Sequence, residues 1–150
     1  MRQVVTFLLD ETRFGLPLPA VERVVPAPWI TPLPKAPAVV LGIFDLQGKA
    51  IPAVSLRRRF GLPERPIELT DRFIVAHTGR RPVALHVDAV AGVVECSDEE
   101  IVVPDSIAPG IGHVSGVALL DDGLLLIQDL GAVLSLEEDQ VLARALEDGA

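Results

Sequence analysis

Short apolar runs broken by turn-forming residues dominate the chain, and their order predicts paired strands. Val4 to Leu9 and Phe14 to Leu18 flank the polar Asp10-Glu11-Thr12-Arg13, the pattern of a hairpin with a four-residue loop. Arg72 to Thr78 and Pro82 to Val90 flank Gly79-Arg80-Arg81 and predict another. "GIFDLQGKAIPAVSL" at 42–56 holds two apolar runs around Gln47-Gly48-Lys49. Gly48 tolerates positive φ because it has no Cβ, so this segment reads as strand, tight turn, strand. "GVALLDDGLLLIQDL" at 116–130 has the same cadence: Gly, then Ile or Val, with Leu at the fifth and fifteenth places. Its Leu124 to Ile127 run has no polar face and predicts a strand covered on both sides.

The matched hairpins are part of a longer repeat. Ala20-Val21 and Val24-Val25 recur 69 places later as Ala89-Val90 and Val93-Val94, and the 42–56 hairpin recurs 74 places later. A proline-bearing connection precedes the last hairpin of each half, Pro26 to Pro37 and Pro104 to Pro109, and the second absorbs the extra five residues. The chain therefore reads as two copies of a β unit of about 70 residues. Seven prolines between positions 17 and 37 exclude a long helix and an interior strand there, since proline has no N–H to donate. One helical turn survives between them, with Pro19 in its first positions and Val21, Val24 and Val25 on one face. The C-terminus differs: Ser135 with Glu138 forms a capping box, and Leu142, Ala145 and Leu146 form one apolar stripe. A helix over about 136–147 packed on the sheet is expected. Short strands, frequent turns and two units predict a mainly β fold of two packed barrels within a single domain spanning 1–150.

Composition narrows the function classes. At 150 residues and 49% apolar, the chain has enough material for a globular core without staples. Its single Cys96 excludes an internal disulfide framework and fits a reducing cytosol. A net charge of −8 disfavours nucleic acid as a partner, and no apolar stretch reaches the length of a signal peptide or a membrane span. The basic run Arg57-Arg58-Arg59 reads as a solvated turn after a strand.

Candidate chemistry is sparse. There is no P-loop, GxGxxG, GxSxG or cysteine pair for zinc, so no cofactor or metal is implied. His86 and Asp88 alternate on a predicted strand and make the best catalytic or metal pair, although two ligands do not close a site and His77 and His113 lie in separate loops or strands. The plainer reading is a polar strand face or a buried Asp held by backbone amides. With Tyr absent and Trp29 alone, no aromatic platform is apparent, and the chain is expected to work through surfaces.

Three stretches carry a family likeness. "PLPKAPAVVLGIFDLQGKAIPAVSLRRRFGL" (32–62) resembles the central signature of the CheW-like chemotaxis coupling proteins, a Pro-rich approach, Gly-x-x-x-Leu-Arg-Gly, then Ile-Pro and Leu. "LHVDAVAGVV" is similar to that family's second-half Val-Asp strand and "GHVSGVALLDDGLLLIQDL" to its closing hairpin, over about positions 4 to 136. The resemblance implies two five-stranded, SH3-like barrels and a non-enzymatic cytoplasmic adapter without cofactor. Its partners would be a chemoreceptor's cytoplasmic tip and the regulatory domain of a histidine kinase. It also implies a receptor-facing groove using Val21, Gly42 and the turn Leu46-Gln47-Gly48, with Leu18 and Val24 as further parts of partner faces. Three positions depart from the family pattern: Gln47 stands where Arg is usual, Asp45 for Asn and Ser55 for Asp. Gln has an amide but no charge, so a partner offering a neutral contact, or a divergent pilus-type or other kinase pathway, is the alternative reading.

Overall fold

The computed structural model describes residues 2–102 and 114–149. The connection from Pro104 to Pro109 and His113 lie outside the described residues. Two antiparallel hairpins stand at the centre. The first is β1 (Arg2–Leu9) with β2 (Thr12–Pro17), and the second is β6 (Arg72–His77) with β7 (Pro82–Val87). Their alternation is buried on both faces. In the second hairpin Ile74, Ala76, Val83, Leu85 and Val87 face Phe7, Leu9, Phe14 and Leu16 of the first across a shared core. Phe73, Val75 and Ala84 point the other way, into a separate apolar cluster with Phe44, Ile51 and Ala53. Val4 on β1 likewise turns away, toward Cys96, Ala118, Leu125 and Ile127.

The remaining strands are β3 (Val21–Pro26), β4 (Val40–Leu46), β5 (Lys49–Ser55), β8 (Ala89–Cys96), β9 (Ile101–Val102), β10 (Val114–Leu120) and β11 (Gly123–Gln128). They complete a six-stranded sheet, β8-β1-β2-β11-β10-β9, and a five-stranded sheet, β3-β6-β7-β5-β4. Each sheet thus combines the central hairpin of one sequence half with strands of the other, β8 to β11 in the six-stranded sheet and β3 to β5 in the five-stranded one. The register nevertheless follows the repeat. Val5 opposite Leu16 becomes Ile74 opposite Leu85, and the parallel pair Gly15–Ile127 becomes Ala84–Ala53. Even the irregularities correspond: the ladders skip Glu22 in β3 and Ala91 in β8, then Leu41 in β4 and Ser115 in β10. Bulges at equivalent places bend both sheets inward. The five-stranded sheet curls until Val25 of one edge strand shares a cluster with Phe44, Leu41 and Leu46 of the other edge.

Helix α1 (Leu56–Phe60) follows β5, and helix α2 (Leu136–Gly149) closes the chain. In α2 the capping box forms as expected. Ser135 N–H donates to Glu138 Oε1 at 2.8 Å, and Glu138 N–H donates to Ser135 Oγ at 3.0 Å. Leu142 and Ala145 are buried in the shared core with Leu146 against it.

Several local expectations are corrected. The first hairpin has a two-residue loop, because Thr12 pairs with Leu9 and Asp10 takes φ 55°. Residues 18–20 form one 3₁₀ turn containing Pro19, but Val21, Val24 and Val25 continue as an edge strand, with Val24 40% exposed. The 82–90 run is two strands with a corner at Asp88. On β11, Leu125 and Ile127 are buried and Leu126 packs on the shared core, whereas Leu124 is exposed, so cover on both faces begins only after it. Arg57-Arg58-Arg59 is not a solvated turn: it lies in α1, and Arg57 is buried.

Candidate functional site

The polar residues that first suggest catalysis form a structural clasp. His86 is buried, stacks on Phe73 at 5.1 Å and places Nε2 2.7 Å from Asp71 Oδ2. Asp71 also accepts both terminal nitrogens of Arg65 at 2.8 and 2.9 Å and the Glu68 N–H at 2.9 Å. Arg65 continues to Asp88 at 2.6 Å, and Asp88 accepts from Arg57 and from the Asp10 N–H, each at 2.7 Å. Arg57 then reaches Asp10 Oδ1 at 2.8 Å and the Pro63 carbonyl at 3.0 Å. Burial pushes the Asp71 carboxyl up, but Arg65, the Glu68 N–H and His86 outweigh it and hold the group at about 2. At Asp88 burial acts in the same upward direction, and Arg57 with the Asp10 N–H brings the net shift below the ordinary value. Each carboxylate is therefore an ion held by arginine, the opposite of a carboxyl poised to exchange protons near neutral pH. His86 and Asp88 do not meet; each is committed to a different partner. Among the described residues no group of three or more His, Cys, Asp or Glu side chains is placed to hold a metal ion.

The surface candidates lie at one end of the five-stranded sheet. β4 and β5 are joined by the two-residue loop Gln47-Gly48, with Leu46 paired to Lys49. Gln47 has φ 53° and Gly48 φ 87°, both positive, as the right-handed twist of a tight hairpin prefers. Asp45 Oδ1 accepts the Gly48 N–H at 3.0 Å. A carboxylate does here what an amide oxygen would do, so the Asn-to-Asp departure keeps the turn. Ser55 Oγ similarly accepts the Arg58 N–H at 3.2 Å and caps α1, a role serine and aspartate share.

Gly42 sits at the β4 bulge with φ 153°, where Thr31 and Ile43 exchange both backbone hydrogen bonds at 2.8 Å. A Cβ on residue 42 would lie 2.3 Å from the Thr31 carbonyl oxygen and 2.8 Å from Ile30 Cγ2. Glycine is required by the close approach of the Pro-rich connection, not by the turn itself.

A small surface pocket of about 120 Å³ is bounded by Leu46, Gln47, Lys49 and Ile51 of the β4–β5 hairpin, Glu22 and Arg23 of β3, and Pro82 of β7. Leu46 and Gln47 are thus brought together there, with Gly48 exposed between Gln47 and Lys49. Val21 is adjacent in sequence but half-buried against the shared core. Leu18, Val24 and Gly42 are not part of its wall; Gly42 acts from within β4. Sequence reasoning missed Glu22, Arg23, Lys49, Ile51 and Pro82. Nothing in one sequence signals that the two edge strands of a curled sheet converge, or that Glu22 is the bulged residue.

A curled two-sheet β scaffold with its buried charges consumed in ion pairs, and a turn and a bulge framing a surface pocket, belongs to the binding class. Comparison with known proteins agrees. The profile of the CheW-like domain matches residues 3–138. The Chemotaxis protein CheW of Treponema pallidum is 32% identical over 147 residues, covering 94% of this chain and 86% of the relative. That of Rhizobium meliloti is 30% identical over 139 residues, covering 91% of this chain and 90% of the relative. The crystal structure of scaffolding protein TtCheW from Thermoanaerobacter tengcongensis superposes with a TM-score of 0.83 at 30% identity, covering 91% of this chain and 94% of that one. The chain belongs to the CheW-like domain family.

Proposed function

We propose that this protein is a non-enzymatic adapter of chemotaxis-type signalling, joining the cytoplasmic tip of a chemoreceptor to the regulatory domain of a histidine kinase. The observation that carries the reading is family membership across nearly the whole chain, with the signature hairpin keeping its turn, bulge and cap geometry despite changes at positions 45, 47 and 55. The receptor is placed at the hairpin end of the five-stranded sheet, with Leu46, Gln47 and Gly48 at the contact and Val21 and Gly42 setting the backbone behind it. Leu18 and Val24 lie at the edge and belong to partner faces. The protein acts in the cytoplasm, consistent with the absence, among the described residues, of a helix long and apolar enough to cross a membrane.

Mixing the purified chain with a soluble receptor-tip fragment and the regulatory domain of a chemotaxis histidine kinase tests this. A ternary species on size-exclusion chromatography, absent when the chain is omitted, is expected. Failure to bind either component would overturn the reading.

A further inference from the structure

Resting on the adapter reading, we infer that Arg23 and Lys49 supply at the receptor pocket the positive charge that Gln47 lacks, so the site recognises a receptor tip through an acidic side chain. The chain carries 13 Lys and Arg residues. Arg2, Arg13, Arg57, Arg58, Arg59, Arg65 and Arg81 are each ion-paired within the molecule. Arg72 donates to the Thr70 and Asp71 carbonyls. Among the described residues that leaves Arg23, Lys35, Lys49, Arg80 and Arg144 without an internal side-chain partner. Two of these five, from different strands, line the small pocket that also holds Gln47.

The juxtaposition is built rather than local. Glu22 and Arg23 are consecutive exposed residues at the β3 bulge, while Lys49 is anchored by its pairing with Leu46 across the two-residue loop. Glu22 contributes one negative charge, so the side chains lining the pocket sum to +1, with the Asp45 carboxylate engaged by the Gly48 N–H at the adjoining turn, on a molecule whose net charge is −8. On a molecule of net negative charge, the two cations give an acidic side chain a local attraction. Such an arrangement orients encounter and rejects wrong faces more than it adds affinity. With the charge moved from residue 47 to its neighbours, the carboxylate meets cations on the pocket rim and the Gln47 amide at the turn.

The probe is the soluble helical signalling-tip fragment of a conventional chemoreceptor, either native or with its tip Asp and Glu residues changed to Asn and Gln. Association and dissociation are measured at low and high salt for the native chain, Arg23→Gln, Lys49→Gln, Arg23→Glu with Lys49→Glu, and Arg144→Gln as an exposed control on α2. Each single neutralisation is expected to weaken binding about 2- to 5-fold, and the double reversal by more than about 10-fold, mainly through slower association. These losses shrink in high salt and vanish with the neutral tip. Adding Gln47→Arg to the native chain should gain no more than a few-fold, since the cationic role is already filled.

If the native chain binds while both neutralised variants match it, the inference falls and the adapter reading stands. It also falls if Arg144→Gln is equally affected, or if the losses persist against the neutral tip. If the native chain does not bind the tip at all, the receptor assignment falls and this inference with it.

Discussion

Single residues in this protein are demanding for different reasons, and the difference is measurable. Gly48 has φ 87° and nothing within 4 Å of where a Cβ would stand, so its requirement is purely conformational. Gly48→Val is expected to cost about 1–2 kcal/mol, read as a lower midpoint in urea with an unchanged slope. Gly42 combines φ 153° with a Cβ position only 2.3 Å from a backbone oxygen, which cannot rotate away as a side chain would. Gly42→Ala should therefore cost more, about 3 kcal/mol, although alanine is the smaller replacement. Equal losses at the two sites would mean that the Pro-rich connection yields at Thr31. Gly48 was legible in the sequence because a turn is a local object. The reason for Gly42 was not, since the obstructing carbonyl belongs to another segment.

At the scale of elements, capping separates what was readable from what was not. The box at Ser135 and Glu138 lies within four consecutive residues, and the helix it starts was foreseen almost to its end. Three acidic residues in its first turn, Glu137, Glu138 and Asp139, also suit the positive end of the helix dipole. Ser135→Ala should lower stability by about 1 kcal/mol. Glu138→Gln keeps a hydrogen-bonding side chain at that position but removes the charge that pairs with Arg59. Comparing the two variants by thermal melting separates cap from ion pair, and an unchanged Ser135→Ala melt would show that packing of Leu142 and Ala145 alone holds α2. Helix α1 escaped notice. Five residues are too few for a periodic signal, and its three arginines imitate a solvated run. Arg57 is buried only because Asp10 and Asp88, 47 and 31 positions away, wait for it.

Across the whole molecule, the ion network ties together parts that the two sheets hold separately. It joins the β1–β2 turn, α1, the segment holding Arg65 and Asp71, and the β7–β8 corner. Asp71→Ala removes the anion shared by Arg65 and His86 and leaves those partners in a site where Asp71 itself is 1% exposed. A loss of about 3–5 kcal/mol is expected. The pH dependence has a definite sign. The Asp71 carboxyl, ordinarily at 3.8, is held at about 2, so the folded state binds fewer protons on it than the unfolded chain does in that range. Its contribution is complete above about pH 4 and is lost as pH falls toward 2. Asp88 shifts in the same direction and adds to the loss. A melting temperature that falls through this window, and falls less steeply in Asp71→Ala, is the expected outcome. Equal slopes would assign acid lability to other groups.

What the sequence determined by itself is everything that depends on near neighbours: strand and turn periodicity, the capped C-terminal helix, the Gln47-Gly48 turn, and the repeat whose 69- and 74-residue offsets reappear in the strand registers. It also carried the family, since the signature is a string of consecutive residues. Tertiary structure alone decided which half supplies which strand, because pairing of β3 with β6 and of β1 with β8 joins segments whose own patterns are equally satisfied by pairing within a half. It alone decided that His86 is held by Asp71, and Asp88 by Arg57 and Arg65. And it alone placed Arg23 beside Lys49, because the curl that brings β3 to the β4–β5 hairpin is set by bulges and by apolar burial among Val25, Phe44 and Leu46, which act between strands and leave no mark on any one of them.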